Sequence, residues 1–368
     1  MVYYRYLLAD LLTNQVTAEL DLTNVSFTQQ LNSAGSLSAQ LLLTGTPDPA
    51  TAITATIPGR SAIYVDRNGV IVWGGIIWNR TYNSNNQHIN INASEFESYF
   101  EHRRISVTSP YVNVDPLVVA RQLVSNAQSV PFGNIGVAVG NETSTLTISR
   151  TFFSYEQKTY LSALQDLAKA GTTATGTTGF DFAINCAYDG SGNITKTLKL
   201  GWPRLGTAYT STSATVPVFE FPAGNMVEYE YPEDGSLVAN TVYATGAGSN
   251  EGKLVYSAND YAKFSAGWPL LETSVSYSDI IDANLIQSLA AGQVAAVSLP
   301  PVVLKIIANP STDPVFGSYV IGDDARVRIV DARFPTGLDT TYRITGLTLT
   351  PGENGPERVT LTLSLPTS

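Results

Sequence analysis

Three glutamates within seven residues, Glu95, Glu97 and Glu101 in "ASEFESYFEHR", form the densest run of groups able to do acid–base chemistry. Two carboxylates cleave a glycosidic bond when they stand roughly 5–9 Å apart, and spacing along a chain does not set that distance. Acidic side chains also favour the first turn of a helix, where they meet the positive end of its dipole. We read the run as a solvated helix start. Asp323, Asp324 and Asp331 read as turn and strand-edge charges, because the spacing of the calcium-binding helix-loop-helix is absent.

Other versatile side chains are scarce: the 368 residues include two histidines and one cysteine. His88 opens an alternating strand pattern, and His102 lies in "FEHRR" beside Arg103 and Arg104. No Gly-x-Ser-x-Gly elbow, His-Glu-x-x-His pair or paired metal-ligand spacing occurs. Cys186 has no second cysteine with which to form an intrachain disulfide or a thiolate cage. Within "FDFAINCAY" it reads as a small buried hydrophobe. "GAGSNEG", from Gly246 to Gly252, looks like a dinucleotide-binding glycine loop, but such a loop needs an immediate helix to receive the pyrophosphate. The following "KLVYSANDYAKF" starts as a strand, so the segment reads as a hairpin turn. We expect no catalytic, cofactor-binding or metal-binding residues, and no cofactor.

The elements around these residues are mostly strands. "RYLLADLLTNQVTAELDL" gives two strands about a turn at Thr13-Asn14. "AIYVDRNGVIVWGG" is a hairpin whose Asn68-Gly69 tolerates the positive φ of a two-residue turn. "VWGGIIWNRTYNSNNQHININAS", from Val72 to Ser94, is a second hairpin. Its glycine pair predicts a bulge or sharp bend, and Trp73 and Trp78 read as packing residues. Ile89, Ile91 and Ala93 alternate with Asn90, Asn92 and Ser94, so one strand face is buried.

Asp115-Pro116 reads as N-cap and first helical residue, followed by a stripe of Leu117, Ala120, Leu123 and Val124. Ser154 with Gln157 matches a capping box ahead of Leu161, Leu164 and Leu167, and that helix is expected to end at Gly171. The loop "GTTATGTTG" and a hairpin, "FDFAINCAYDGSGNITKTLKLGW", follow it. A further helix spans about 282–297, stopped by Pro300-Pro301. Two closing strands lie in "ARVRIVDARFPTGLDTTYRITGLTLTPGENGPERVTLTLSL", whose grammar parallels that of the 62–94 region. The expected class is α+β, mainly β, with two small β-barrel-like domains flanking an α/β middle region. The expected boundaries are 1–110 for the first barrel, 111–215 for the middle, and 216–368 for the second barrel with one helix.

Composition narrows the function classes. Only 14% of residues are charged, against roughly 25% in typical soluble domains, and the net charge is −10. Tight duplex binding needs clustered cations to displace phosphate counterions, so this balance argues against it. No stretch approaches ~18 uninterrupted apolar residues, so no membrane span is expected. The first residues lack a secretory pattern, which suggests synthesis in a cytoplasm. The 19 Tyr, 13 Phe and 4 Trp could stack on sugar rings, but filling cores and subunit interfaces is the simpler use of such side chains.

"GGIIWNRTY", with the polar turn and "ININASEFESYFEHR" after it, resembles the N-terminal barrel of baseplate-hub minor tail proteins of siphovirus-type tailed phages, especially those of actinobacteria. "YVIGDDARVRIVD" and "YRITGLTLTPGENGPERVTLTLS" resemble the same family's C-terminal barrel. The resemblance implies a non-enzymatic virion protein, assembled in the host bacterial cytoplasm. It would form a homotrimeric ring at the tail tip around the DNA exit path, with two barrels per subunit meeting a sixfold tube. Implied partners are the distal tail protein, the tape measure protein, tail fibre or tip proteins, and passing genomic DNA without specific binding. The alternatives are a distal tail protein and a tail component that binds or hydrolyses cell-wall carbohydrate.

Overall fold

The computed structural model describes residues 2–169, 179–209, 216–277, 283–298, 303–352 and 355–365. The chain is α+β and mainly β, with 43% of residues in strands and 19% in helices. It divides into two compact units, one of Met1–Tyr229 with Lys305–Ser368, the other of Glu230–Leu304. No helix among the described residues is long and apolar enough to cross a membrane.

A sheet of 13 strands dominates the larger unit. Its N-terminal members run in the spatial order Leu22–Gln30, Ser36–Leu42, His88–Glu95, Val70–Asn83, Ser61–Arg67, Tyr4–Asp10 and Val16–Glu19. The C-terminal strands join the same sheet. Leu338–Thr350 pairs antiparallel with Leu22–Gln30, setting Gly346 opposite Gln30 and Leu349 opposite Phe27, and Arg358–Ser364 lies on its other side. The strand order is an open path with a branch at Asp324–Ile329, and no closed barrel forms among the described residues. The similar grammar of the two ends thus serves one continuous sheet.

Local chemistry explains the hairpins. Asn68 (φ 54°) and Gly69 (φ 84°) both occupy the left-handed region, as a type I′ turn requires. The Val72–Ser94 hairpin forms as expected, from Val70–Asn83 and His88–Glu95. Its glycines answer to close approach rather than to an unusual φ. A Cβ on Gly74 would lie 2.7 Å from the Cys186 sulfur, and one on Gly75 would lie 2.3 Å from the Ser94 carbonyl oxygen. Gly74 thereby lets the strand Asp181–Tyr188 cross directly over the sheet. Trp73 is 2% exposed, and its indole N–H donates to the Thr28 carbonyl at 2.8 Å. Trp78 sits at a register shift between Ile77 and Asn79, half-buried, donating to the Ser98 hydroxyl at 2.8 Å.

Two helices and a three-stranded sheet lie on that core. Asp115 caps the helix Pro116–Gln128, accepting from the Leu117 N–H at 2.8 Å. The second helix departs from expectation at its start. Ser154–Glu156 is a separate 3-10 turn, Gln157 has φ 49°, and the α-helix is Tyr160–Lys169. Its cap is Thr159, whose hydroxyl accepts from the Ser162 N–H at 3.1 Å. The Ser154/Gln157 spacing matched a capping box, but the left-handed Gln157 breaks the helical path before it can propagate. The expected helix end at Gly171, the loop "GTTATGTTG" up to residue 178, and the pair Pro300-Pro301 lie outside the described residues. Helix residues Leu117, Leu123 and Leu164 share one core with Leu7 and Tyr64 of the N-terminal strands, with Phe96 just after the strand His88–Glu95, and with Phe182 and Leu198 of the middle hairpin.

The smaller unit pairs Thr241–Thr245 antiparallel with Val255–Asn259 and parallel with Glu272–Ser276. The segment Gly246–Gly252 is the connection inside that first pair, the hairpin expected of it. The helix Ala283–Val297 supplies Ile286 and Ala290 to a small core with Ala244.

Removing the Trp73 indole leaves a large cavity beneath Gly75. Trp73→Ala is expected to cost about 3–5 kcal/mol in denaturant unfolding. Unchanged stability would contradict its role as a core residue.

Candidate functional site

The glutamate run does not form a solvated helix start. Glu95 ends the strand His88–Glu95, and a 3-10 helix, Phe96–Glu101, follows it. Glu95 is 6% exposed and Glu97 3%. The alternation that buries Ile89, Ile91 and Ala93 continues to position 95 and turns that carboxyl inward. Glu95 Oε2 accepts the Gly35 N–H at 2.7 Å. Gly35 has no room for a side chain, since a Cβ there would stand 1.9 Å from the Thr28 carbonyl oxygen. Glu97 Oε1 accepts the Ile184 N–H at 2.5 Å, so this carboxyl holds the middle hairpin to the sheet. Its other oxygen, Oε2, is buried without a hydrogen-bond partner.

The two carboxyls line a cleft of about 220 Å³ with Gln29, Gln30, Asn185, Lys199 and Val320. Burial, and then the neighbouring Glu97 charge, raises the Glu95 pKa well above the carboxylate range. Burial likewise pushes Glu97 up from 4.5 to about 7. Neither forms an ion pair among the described residues, and a proton is then the cheapest way to avoid a bare buried charge.

A second polar group lies inside the core. Lys196, 1% exposed, donates to Asn14 Oδ1 at 3.0 Å, and the Tyr64 hydroxyl donates to the same oxygen at 2.5 Å. The Lys196 ammonium also stands 4.8 Å from the Phe96 ring centroid, and burial lowers its pKa to about 8. Cys186 is buried as expected, and burial, followed by the Glu97 charge, raises its thiol pKa. A thiol so held is a poor nucleophile.

Sequence reasoning missed the strongest electrostatic feature. The Arg343 guanidinium is buried and pairs with Asp181, with side chains 9% and 8% exposed. It also donates to the carbonyl oxygens of Leu205 at 2.9 Å and Gly322 at 3.2 Å. Asp181 in turn accepts from the Leu205 N–H at 2.9 Å and from Asn32 Nδ2 at 2.8 Å. Arg204 pairs with Asp324 at 2.5 Å beside it. Asp324 is therefore not a strand-edge surface charge: it is 5% exposed, and strand pairing with Arg343 carries it into the core. Asp323 does act in a turn, accepting from the Val320 N–H at 2.9 Å, and Asp331 accepts from the Arg333 N–H at 2.9 Å. His102 packs against Trp78 with the rings tilted by 31° and centroids 4.2 Å apart, and His88 pairs in the ladder opposite Asn83.

Two outcomes follow. Removing one partner of a buried pair leaves the other charge bare, so Arg343→Ala is expected to lose about 3–5 kcal/mol of unfolding free energy. A loss below about 1 kcal/mol, the worth of an exposed pair, would contradict the buried clamp. The carboxyls set a pH dependence. With Glu97 raised from 4.5 to about 7, the folded chain keeps a proton that the unfolded chain releases across that window. Stability must then fall as pH rises through it. Lys196 does not contribute there, because the folded and unfolded chains differ in its protonation only between about 8 and 10.5. Thermal unfolding should show the decline, and Glu97→Gln should flatten it; an equal slope in the variant would contradict this assignment.

No protein-family profile and no curated protein sequence matches the chain. Solved structures do match it along nearly its whole length. The tail protein from Neisseria meningitidis MC58 is 15% identical, with 98% of this chain and 96% of that one covered at a TM-score of 0.61. The 43 kDa tail protein of prophage MuSo2 from Shewanella oneidensis is 12% identical, with 98% of each chain covered, also at 0.61. An E. coli component of the type VI secretion system, described as structurally similar to the T4 bacteriophage tail proteins gp27 and gp5, is 10% identical. It covers 95% of this chain and 74% of its own at 0.50. The chain has the fold of these tail proteins.

Proposed function

We propose that this protein is a structural component of a phage tail, and within the tail the hub at its tip. The observation that carries this reading is the end-to-end correspondence of the fold with two phage-type tail proteins. The sequence resemblance to baseplate-hub minor tail proteins supplies the finer assignment: a homotrimeric ring between the tail tube and the tip. Its neighbours would be the distal tail protein, the tape measure protein and the fibre or tip proteins. Actinobacterial phages are the proposed source, and the virion the proposed location.

The surface supports an assembly role. Phe132 is 89% exposed, Tyr155 75%, Leu237 73% and Tyr261 72%. Phe132 moreover holds φ 62°, a conformation unfavourable for a bulky residue. Aromatic residues are enriched at protein interfaces relative to the rest of the surface. The charge pattern suits a wall past which DNA slides. Arg5, Arg67, Arg326 and Arg328 are each engaged by a carboxylate, which leaves them poorly placed to grip phosphate. Catalysis forms no part of this role.

Mass measurement of the purified protein, alone and with its tail neighbours, should give a trimer, and electron microscopy should show rings. A protein that stays monomeric both alone and in extracted tails would refute the hub.

A further inference from the structure

We propose that the side chains of Lys196 and Asn14 join in an intramolecular isopeptide bond, formed by the chain's own residues with loss of ammonia. The inference does not depend on the tail role.

Lys196 lies on the strand Ile194–Gly201 and is 1% exposed. A lysine so buried ordinarily meets a carboxylate, yet Lys196 forms no ion pair among the described residues. Its hydrogen bond goes instead to the Asn14 carboxamide, whose Oδ1 stands 3.0 Å from Nζ, 182 positions away in sequence. The carbonyl carbon is one bond of about 1.2 Å from that oxygen, so Nζ lies within about 4 Å of it. Attack needs an approach of roughly 3–3.5 Å. A small rotation of the flexible four-carbon stem supplies the difference.

The surroundings give each reactant what it needs. An amide under attack must have its carbonyl polarised and the developing negative charge held. The Tyr64 hydroxyl donates to the same Oδ1 at 2.5 Å, and burial raises its pKa so that it keeps its proton. The carboxamide is fixed on its other side, where Asn14 Nδ2 donates to the Ile194 carbonyl at 2.6 Å. The Asn14 N–H donates to the Asp10 carbonyl at 2.8 Å and holds the turn. The amine must shed its proton to expose a lone pair, and burial, which lowers Lys196 to about 8, favours the neutral form. Cys186 opposes that shift only when ionised, and its own raised pKa keeps it a neutral thiol. The Phe96 ring, 4.8 Å from Nζ, adds an apolar wall on the amine.

The step balances without an outside reagent. The Nζ lone pair forms a bond to Cγ, and the amide oxygen takes up negative charge against the Tyr64 hydroxyl. The carbonyl then re-forms as the Cγ–Nδ2 bond breaks. A proton passes from Nζ to Nδ2, which leaves as ammonia, and nothing is oxidised or reduced. Asn14 also lines an open cleft of about 800 Å³ with Thr13, Tyr188 and Ile194, which gives the ammonia an exit. The product ties the turn between Tyr4–Asp10 and Val16–Glu19 to the middle hairpin. As a disulfide does, such a link restricts the unfolded chain.

The test is the mass of the full chain, denatured after ageing at about pH 8, where about half of Lys196 is uncharged. The expected mass is one ammonia below that of the sequence. A tryptic digest should hold a branched peptide joining the Asn14 segment to an uncleaved Lys196. This map reads the bond in the parent protein, so it needs no variant to fold. Lys196→Met keeps the length of the stem and should restore the full mass. Tyr64→Phe keeps the ring and removes the donor, so linked chain should accumulate at least roughly tenfold more slowly. A parent chain of full mass that trypsin cleaves after Lys196 overturns the proposal. Ammonia loss without the branched peptide also overturns it, and assigns the loss to cyclisation at an Asn-Gly step such as Asn68-Gly69.

Discussion

The larger unit is organised around one buried guanidinium. Arg343 enters the core on the strand Leu338–Thr350, and a charge there must find a counter-charge and acceptors for its remaining N–H groups. It finds Asp181 on the middle hairpin and the carbonyls of Leu205 and Gly322. Asp181 extends the clamp to Asn32, beside the N-terminal strands. Four remote segments are thus brought to one point. Such a pair adds little net stability over an apolar substitute. Its effect is to specify arrangement, because any slip of the hairpin or the sheet would strand a charge.

The carboxyl pair that meets the same hairpin at Ile184 follows a different logic. Glu97 anchors the Ile184 N–H and Glu95 anchors Gly35, so both tie backbone to backbone as Arg343 does. Neither has a counter-ion among the described residues. The junction of sheet and hairpin therefore carries groups whose protonation changes on folding.

The continuous sheet ties the two ends of the chain together. The N- and C-terminal strands interleave through the pairing of Leu338–Thr350 with Leu22–Gln30, so separating the ends of the chain means breaking a ladder. A separate contact joins Tyr4 and Arg67, on the paired strands Tyr4–Asp10 and Ser61–Arg67, to Glu357 ahead of the last strand, with Arg67 Nη2 donating to Glu357 at 2.7 Å.

What could be read without coordinates depends on signals confined to a few residues. The Asn68-Gly69 turn, the Asp115-Pro116 cap, the alternation from Ile89 to Ala93 and the hairpin at Gly246–Gly252 all obey local rules, because backbone sterics and neighbouring hydrogen bonds decide them. The mainly β class follows from summing such signals. The Ser154 capping pattern failed because Gln157 turns left-handed, which spacing does not reveal. Tertiary structure alone decided the rest. Asp181 and Arg343 lie 162 positions apart, and no local pattern marks either. Glu95 and Glu97 look like surface charges until the hairpin Asp181–Gly201 covers them, and Gly74 looks like a bend until Cys186 is seen above it. Burial is a property of what packs against a residue. For these groups, that partner comes from distant sequence.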